Sequence, residues 1–500
     1  MSAGPLPLIH EAPYVEIETL LPRWAELPYC AWLDAAAPHE ATGRFSFLAA
    51  DPYQVWTIPP GASASLALRT LQEAAETVSR ANATSESLCP SPFQGGLICL
   101  WSYELGRYFE ERPIPAPPYC DQGFPLFWAG LYDVVLAIDH RERRSWLISQ
   151  GFPAAGPIER RRRAEARANR FRILLDRASR KGGVEPTGPR DQSQSIESTA
   201  FPPGPVRPVA SGLWSNFSKE EYPAAVRRIV RYIRAGDVFQ VNLSQRLYLP
   251  ASCHPLAAYT TLRRKNPAPM GGYLDLGGRQ LLSTSPERLA RIQGRRVETR
   301  PIKGTRPRHR DPARDAESAQ ALACGEKERA ENTMIVDLLR NDLSRVSRAD
   351  GVHVTAWNRV ESYAGVHHLV SVIESELLPD KTWRDVMQSI FPGGSITGAP
   401  KIRAMEIIAE LEPHARGPYC GSLGYVSYSG QADFNILIRT VLAERDWWIV
   451  PVGGGVTAQS DPAEEYAETW HKARAMVSAL NGGLFDSPHC KDAAYSANLP

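Results

Sequence analysis

The sequence predicts an α+β fold in which antiparallel sheets are flanked by helices. Short runs of Val, Ile, Leu and aromatic residues recur between turns rich in the chain's 37 glycines and 42 prolines, and such runs are typical of β-strands. In the second half of the chain, these runs alternate with amphipathic segments that carry helix-capping residues. At 500 residues, the chain is long enough for one large or two ordinary domains with a sizeable core.

Shifts in composition divide the chain into four parts. Residues 1–180 form an N-terminal region. Residues 181–212 are mostly Gly, Pro, Ser and Gln with few apolar side chains, which indicates a linker or a flexible loop. Residues 213–485 carry most of the predicted helices and form the larger domain, and residues 486–500 form a C-terminal tail.

The N-terminal region contains predicted strands and one predicted helix. Apolar runs at 97–101 and 131–138 indicate strands. The segment 159–181 includes the four consecutive arginines Arg160 to Arg163, which would also suit a nucleic-acid patch. Apolar residues recur in this segment at helical spacing, so an amphipathic surface helix is the better interpretation.

The larger domain opens with a helix whose two ends are visible in the sequence. Ser218 and Glu221 form a capping box, Tyr222 and Val226 begin an apolar stripe, and Gly236 ends the helix. Further strands are predicted at 238–249, near 281, at 352–354, at 369–373, near 426 and at 436–442. Further helices are predicted at 326–342, 382–390, 401–411 and 462–480.

Lys303 lies in the stretch PIKGTRPR, which spans residues 301–308. Pro301 and Gly304 predict a tight turn around it. The neighbouring arginines favour the neutral amine, which is the form that acts as a nucleophile, whereas nearby glutamates oppose it. From the sequence alone, Lys303 is either a nucleophile or an ordinary surface lysine.

Two pairs of glutamates have a spacing that places both carboxylates on one helix face. Glu328 and Glu331 form the first pair, and Glu465 and Glu468 form the second. If the pairs face each other, their oxygens would suit Mg²⁺. The alternative is a solvated acidic face with salt bridges such as Glu468 to Lys472.

Together these segments resemble the chorismate-utilising enzymes. The resemblance runs from about residue 214 to about residue 484, with a weaker one over the first half. Its landmarks are DVFQVNLS at 237–244, STSPER at 283–288, the lysine stretch, DLLRND at 337–342, PGGSITGAPK at 392–401, GY at 424–425, IRT at 438–440 and GGG at 453–455. The resemblance implies a two-lobed fold of stacked antiparallel sheets flanked by helices, of the anthranilate synthase component I type, with the first half contributing strands to the same body.

Two positions favour one branch of that family. Relatives that make anthranilate carry Ala where this chain has Lys303, and relatives that add water carry a lysine base where this chain has Gln240. The resemblance therefore implies a transferase that aminates chorismate at C4 through a covalent lysine intermediate, on the route to 4-aminobenzoate and folate. Anthranilate synthesis and a binding or regulatory role without chemistry are the alternatives.

The resemblance also implies roles for the candidate residues. Lys303 would attack ring carbon C2, and Glu287 would protonate the leaving C4 oxygen, unless it forms an ion pair with Arg288 or Arg291. Glu331 and Glu468 would bind Mg²⁺ directly, with Glu328 and Glu465 holding its waters. The expected substrate contacts are Gly304, Thr305, His368, Tyr425, Arg439, Gly453, Gly454, Gly455 and Lys472; His368 could equally be a core residue.

The composition and the cysteine pattern indicate the cellular compartment and the kinds of binding partner to expect. A net charge of +2 gives no general reason to bind nucleic acid or membrane. No apolar run approaches the ~20 residues of a membrane-spanning helix, and the N-terminus lacks the charged and apolar regions of a signal peptide. Eight cysteines without a C-x-x-C spacing suit reduced thiols in the cytoplasm. No cysteine lies in a Gly-x-Cys-x-Gly turn, so ammonia would come from solution or from a separate glutamine amidotransferase subunit, component II. Residues 44–52 lie where relatives hold tryptophan but lack the LLES string, so regulation by tryptophan is not expected.

Overall fold

The computed structural model describes residues 6–39, 41–82, 89–110, 112–120, 123–180 and 204–480. Its α-helices, numbered α1 to α10, are Ile17–Trp24, Ala64–Asn82, Pro157–Arg180, Glu221–Arg234, Pro255–Lys265, Pro312–Cys324, Glu326–Ser344, Trp383–Ile390, Lys401–Leu411 and Pro462–Leu480. Short 3-10 helices occupy Tyr103–Tyr108 and Gly394–Ile396.

The strands, numbered β1 to β23, are Leu8–Ala12, Ala31–Asp34, Phe45–Ala49, Gln54–Ile58, Gly96–Trp101, Phe127–Tyr132, Val134–Asp139, Arg144–Ser149, Arg207–Ala210, Leu213–Ser215, Gln240–Pro250, Gly271–Asp275, Arg279–Ser283, Arg288–Gln293, Arg296–Arg300, Ile302–Pro307, Ser347–Ser362, Val366–Leu377, Gly398–Ala399, Ser422–Ser427, Ala432–Asn435, Thr440–Glu444 and Trp447–Val456.

These strands form two antiparallel sheets, which confirms the predicted α+β class. Sheet A has 13 strands in the order β1-β8-β7-β3-β2-β12-β13-β22-β23-β11-β10-β9, with β19 added beside β11. Sheet B has 10 strands in the order β16-β18-β15-β14-β21-β20-β5-β6-β4, with β17 also paired to β18. Each sheet combines strands from the first 150 residues with strands from beyond residue 200, as the resemblance implies.

Alternating side chains divide the interior into three apolar layers. In β5, Leu97, Cys99 and Trp101 pack on one side with helices, whereas Ile98 and Leu100 pack against residues of the other sheet. Strand β23 alternates in the same way between the layer shared by the two sheets and the layer under α10. This period of two is the pattern of antiparallel strands with both faces buried.

The predicted strand at 131–138 is wrong, because the chain changes sheet within it. Strand β6 ends at Tyr132 in sheet B, and β7 begins at Val134 in sheet A. Asp133 between them is fully buried, and its Oδ1 accepts hydrogen bonds from Arg167 of α3 at 2.9 and 3.1 Å. The apolar residues on either side of Asp133 do not show this change of sheet, since strands of both sheets are equally buried.

Several other boundaries follow or correct the sequence predictions. The helices predicted at 401–411 and 462–480 have those bounds, and the Ser218 hydroxyl accepts the N–H groups of Glu220 and Glu221 in the expected capping box. The strand predicted at 436–442 begins only at Thr440, since Arg439 has a left-handed φ of 52°. Within the predicted linker, 207–210 form strand β9, while 181–203, like the tail at 486–500, lie outside the described residues.

Among the described residues, no helix is both long and apolar enough to cross a membrane.

Candidate active site

The predicted catalytic residues meet beside the edge of sheet B. Lys303 lies on edge strand β16, Glu331 lies on α7, and Glu287 lies just before β14. Helix α7 packs against β16, β17 and β18, and α10 packs against β23 of sheet A. The charges of Lys472 and Glu468 on α10 act on the Lys303 ammonium, so α10 borders the same site.

Lys303 lies on a bulged strand and not in the predicted turn. The pairing of β16 with β18 shifts register between Lys303 and Thr305, which leaves Gly304 as the extra residue of a β-bulge. Pro and Gly mark a turn and a bulge alike, so the sequence did not separate the two. A bulge re-aims side chains, and here the Lys303 ammonium points into the protein with its side chain only 11% exposed.

Gly304 is required at the bulge for two reasons. Its φ of +72° is a left-handed conformation that favours glycine. In addition, a Cβ at this position would lie 2.7 Å from Leu322 Cδ1 and 2.9 Å from Glu328 Cγ. The bulged strand therefore packs directly on α6 and α7, which brings Lys303 close to the first glutamate pair.

Glu287 is buried and is placed next to the lysine. Its Oε1 accepts a hydrogen bond from the Ile302 N–H at 3.3 Å. Burial raises the pKa of Glu287 to about 7, although Ser395, Ile302 and the Lys303 ammonium oppose the rise. The alternative ion pair with an arginine is excluded, because Arg288 pairs with Asp433 and Glu298, and Arg291 pairs with Glu298.

Ser395 contacts both catalytic candidates, Lys303 and Glu287, and the sequence did not identify this role. Its carbonyl oxygen accepts a hydrogen bond from Lys303 Nζ at 3.4 Å, and its hydroxyl lies close enough to lower the pKa of Glu287. The residue belongs to the PGGS string at 392–395. A sequence motif marks such a residue as part of the family pattern, but it does not show that a backbone carbonyl contacts the lysine.

Burial is the main influence on Lys303. It lowers the pKa of the ammonium more than the carboxylates of Glu331 and Glu287 raise it. Glu331 Oε2 lies 3.9 Å from Lys303 Nζ. The balance that the sequence left open therefore favours the neutral amine, through burial and not through the neighbouring arginines.

Thr305 and His368 form a neutral pair beside the lysine. The Thr305 hydroxyl and His368 Nδ1 are 2.9 Å apart. Burial lowers the pKa of His368 to about 4, so the imidazole is uncharged near neutral pH. Because β16 and β18 pair at these two residues, the strand register itself places the hydroxyl and the imidazole together.

The first glutamate pair is bordered by basic side chains. Burial raises the pKa of Glu331, and the ammonium groups of Lys303 and then Lys327 oppose the rise. Glu328 lies 3.9 Å from the Arg306 guanidinium. Lys327 was not identified from the sequence, although its charge also reaches the second pair.

The second glutamate pair lies under the glycine strand β23. Glu465 is buried and accepts a hydrogen bond from the Ser460 hydroxyl at 2.6 Å. Glu468 Oε1 lies 2.6 Å from Lys472 Nζ, so the salt bridge expected from the alternative interpretation, a solvated acidic face, is present. A Cβ on Gly454 would lie 3.2 Å from Glu465 Oε2 and 3.6 Å from Glu468 Oε1. Glycine at 454 thus leaves room above both carboxylates.

The donor chemistry of the two pairs fits a hard divalent cation. Burial raises the pKa of Glu331 and of Glu465, and Glu468 adds to both rises, while the ammonium groups of nearby lysines oppose them. Oxygen donors of this kind suit Mg²⁺. Within the described ranges, however, no three or more His, Cys, Asp or Glu side chains are arranged so that they could hold a metal ion. The four-glutamate magnesium site therefore stays a prediction.

Arg439 and Lys472 lie together at the far side of the site. Arg439 Nη1 donates to the Lys472 carbonyl at 3.0 Å, and Lys472 Nζ donates to the Gly453 carbonyl at 2.8 Å. Burial lowers the pKa of Arg439, and the nearby Tyr419 opposes this. Next to these groups, Gly455 leaves space for the buried amide of Gln240, since a Cβ on the glycine would lie 2.7 Å from Gln240 Nε2.

Tyr425 is not brought into this cluster. Its ring packs between the sheets, with centroids 4.7 Å from Phe93 and 5.3 Å from Phe47. There it lines a separate cavity of about 430 Å³ that also includes Arg44. The tyrosine near Arg439 is Tyr419, six residues earlier, and both lie around β20, so a motif position alone did not distinguish them.

The amino-acid sequence matches known proteins over most of its length. A family model described as chorismate binding enzyme matches residues 29–478. Anthranilate synthase component 1 of Thermus thermophilus is 44% identical over 78% of this chain and 78% of its own length. Aminodeoxychorismate synthase component 1 of Klebsiella aerogenes is 35% identical over 91% of this chain and 94% of its own length.

A solved structure is similar as well. The crystal structure of anthranilate synthase component I from Streptococcus pneumoniae TIGR4 matches with a TM-score of 0.72 and 29% sequence identity, over 87% of this chain and 92% of that chain. The relative with the higher identity covers less of the chain, so overall similarity does not choose between the two activities.

Proposed function

This chain belongs to the chorismate-binding enzymes, and from that premise we propose that it acts as component I of an aminodeoxychorismate synthase. It would convert chorismate and ammonia to 4-amino-4-deoxychorismate, on the route to 4-aminobenzoate and folate. One observation carries this proposal. Lys303 is a buried amine with a lowered pKa, next to Glu287, whose pKa is raised to about 7. A covalent route needs a neutral amine and a protonated acid together, and these two shifts favour both.

In the proposed first step, the Lys303 amine forms a bond to C2 of the ring. The ring double bond shifts, the C4–oxygen bond breaks, and the Glu287 carboxylic acid donates its proton so that the oxygen leaves as water. Burial supports this step, because a low-dielectric site favours the uncharged amine over the ammonium. The Ser395 carbonyl accepts from Lys303 Nζ and so orients the amine.

In the second step, ammonia forms a bond to C4 and the Lys303–C2 bond breaks. The nitrogen that has entered loses one proton to the Glu287 carboxylate, which restores the acid, and Lys303 returns as the neutral amine. The net reaction is chorismate plus ammonia to 4-amino-4-deoxychorismate plus water. The same two side chains thus serve both steps.

The remaining side chains would hold the dicarboxylate substrate. Glu331 and Glu468 would bind Mg²⁺ directly, Glu328 and Glu465 would bind its waters, and the bound ion would supply positive charge for the ring carboxylate. Arg439 and Lys472, with the N–H groups of residues 453–455, would receive the second carboxylate. Thr305 and neutral His368 supply hydrogen bonds beside the lysine.

A separate subunit would supply ammonia from glutamine. Several relatives bear the name component 1, which implies a second component. Glutamine hydrolysis needs an activated thiolate with a neighbouring base, and no cysteine of the sequence lies in the turn that glutaminases use. We therefore expect the purified chain to use an ammonium salt but not glutamine.

One assay tests the proposal. The purified chain is incubated with chorismate, Mg²⁺ and an ammonium salt, and the products are identified by mass. We expect 4-amino-4-deoxychorismate, and we expect none when glutamine replaces ammonium. Anthranilate as the main product would assign the chain to the other activity, and unchanged chorismate would exclude both.

Anthranilate synthesis is the second candidate. The 44% identity to the Thermus thermophilus anthranilate synthase component favours it. Against it stands Lys303, since the resemblance to the anthranilate-forming branch implies Ala at this position. The identity is spread over the whole scaffold, whereas the lysine is at the reacting centre, so the lysine is the stronger guide to the reaction.

A further inference from the structure

Three side chains connect the helix that carries Glu331 to the strand region that carries Lys303. Asn332 on α7 donates from Nδ2 to Asn358 Oδ1 at 2.8 Å and to the Ser371 hydroxyl at 2.9 Å. Asn332 and Ser371 are fully buried. We name Asn332, Asn358 and Ser371 the amide–serine network.

Asn358 adopts a backbone conformation that few residues other than glycine accept. Its φ is +51°, and it lies where the pairing of β17 with β18 shifts register between Ala356 and Arg359. Its N–H donates to the Ser371 hydroxyl oxygen at 3.1 Å. A residue other than glycine keeps this conformation where its surroundings hold it. The network supplies that support, because both the main chain and the side chain of Asn358 bond within it.

Ser371 continues the connection to the catalytic strand. Its N–H donates to the Pro301 carbonyl at 3.3 Å. The next residue, Ile302, donates its N–H to Glu287, and Lys303 follows. The path from α7 to the lysine therefore runs through hydrogen bonds and one short piece of backbone.

We propose that the amide–serine network is a positioning device that fixes the Lys303 Nζ to Glu331 Oε2 separation, which is 3.9 Å. This proposal rests on the proposed function, which gives Lys303 and Glu331 their roles. Asn332 follows Glu331 directly, so its side-chain bonds fix the rotation and height of this turn of α7. Ser371 fixes the backbone that precedes Lys303. The Ser371 hydroxyl thus accepts from α7 and from Asn358, while the N–H of the same residue holds the backbone before Lys303, so one residue links both ends of the pair.

The alternative is that these bonds only attach a helix to a sheet. In that case, their loss would lower stability without a specific effect on catalysis. If the network positions Lys303, its loss lowers kcat while leaving the KM for chorismate nearly unchanged, because small displacements at a reacting centre cost up to about 100-fold in rate.

The test compares two serines of the same strand. Ser371→Ala removes the shared acceptor, whereas Ser375→Ala removes a buried hydroxyl, four residues further on, that has no hydrogen-bond partner. We expect a roughly 10-fold or greater loss of kcat for Ser371→Ala, with KM within about twofold. We expect Ser375→Ala to stay within about twofold in both, and Ser371→Thr, which keeps the hydroxyl, to recover most of the rate. Equal kcat values for the two alanine variants would overturn the proposal.

Two further variants separate positioning from folding. Asn358→Gly suits the left-handed backbone and removes only the side-chain acceptor, so it should fold and still lose kcat. In a Lys303→Ala background, Ser371→Ala should cause no further loss of the residual activity. A proportional loss there would show that the serine does not act through the lysine, and would also overturn the proposal.

A crystal structure of the Ser371→Ala variant tests the positioning role of the network without any measurement of activity. The separation of Lys303 Nζ from Glu331 Oε2 should lengthen relative to the parent chain. If the parent chain consumes no chorismate, the proposed function is wrong. The positioning role of the network is then tested by this distance alone. An unchanged distance would refute it.

Discussion

The lysine side and the acidic side of the site are built in different ways. Lys303 and Glu287 are held by main-chain groups, namely the Ser395 carbonyl and the Ile302 N–H. Glu287 is buried, and the side chain of Lys303 is only 11% exposed. Glu468, by contrast, has a side chain that is 49% exposed, and its close contact is the ammonium of Lys472 on the same helix. The first region is organised by the backbone, and the second by long side chains.

This difference indicates what each region can do without help. Groups fixed by backbone hydrogen bonds need little rearrangement when charge develops, so the lysine side is organised for chemistry. Burial raises the pKa values of Glu331 and Glu465, and the acidic side carries the proposed ligands of the cation. Changes on the lysine side should therefore lower the rate, and changes on the acidic side should alter the ion requirement.

The largest effect is expected at the lysine. Lys303→Ala removes the nucleophile, and we expect formation of 4-amino-4-deoxychorismate to fall by at least about 10⁴-fold, since removal of a covalent nucleophile can cost about 10⁶-fold. Product formation is measured by mass with saturating ammonium. Lys219→Ala, at an exposed lysine, is the control and should match the parent chain. Full activity of the Lys303 variant would contradict the covalent route.

Glu287 should produce the next largest effect, together with a change in pH dependence. Glu287→Gln removes the proton donor, and we expect a loss of about 10³-fold. Because the pKa of Glu287 is raised to about 7, the acid form disappears as pH rises through that value, so kcat/KM at constant free ammonia should fall on the alkaline side. The Lys303 amine acts in the opposite sense, because it must lose a proton before it can attack.

The control for this profile is Glu287→Asp, which keeps a carboxylic acid but places it farther from the leaving oxygen. This variant should be slower at every pH and should still show the alkaline decline. A parent profile that stays flat through pH 7 would contradict the assignment of Glu287 as the proton donor.

On the acidic side, the expected effect is on the ion requirement. Glu331→Gln and Glu468→Gln each remove a proposed direct ligand, and we expect half-saturation with Mg²⁺ to require more than about 100-fold higher concentration. Glu328→Gln and Glu465→Gln should cost less, about 10- to 100-fold. Activity is titrated against Mg²⁺ for each variant. Four unshifted titrations would remove the magnesium assignment.

The smallest effect is expected at Tyr425, which lies outside both regions. Tyr425→Phe keeps the ring between the sheets, so we expect kcat and the KM for chorismate to change by no more than about twofold. The measurement is steady-state kinetics at saturating ammonium. A rise in KM of tenfold or more would restore the substrate contact that the sequence predicted.

The sequence allowed good prediction where local signals act alone. Helix α9 has its predicted bounds because a proline precedes it and an apolar stripe runs along it, and α10 begins at a proline in its first turn. The lysine, the acid and both glutamate pairs were found because they lie in strings with fixed spacing. The prediction that these residues lie close together in space came from the resemblance to the family and not from their spacing in the sequence.

The features that the sequence did not predict depend on contacts between segments that are far apart in the chain. The position of Ser395 next to Lys303 involves a separation of 92 residues and a main-chain oxygen, which no side-chain pattern marks. The change of sheet at Asp133 depends on which strands are neighbours. The position of Tyr425 between the sheets depends on which face of β20 its side chain occupies, and the tyrosine is almost fully buried there.

The mixing of early and late strands in each sheet bears on how the molecule can be divided. Strand β12 pairs with β2 in sheet A, and β20 pairs with β5 in sheet B. A fragment of residues 213–485 would carry every proposed catalytic side chain, yet it would expose an unpaired edge of β12 and an unpaired edge of β20. Bare edges recruit strands from other molecules. Such a fragment would therefore aggregate or remain bound to chaperones. A chain shortened to residues 213–485 would not fold into an active enzyme.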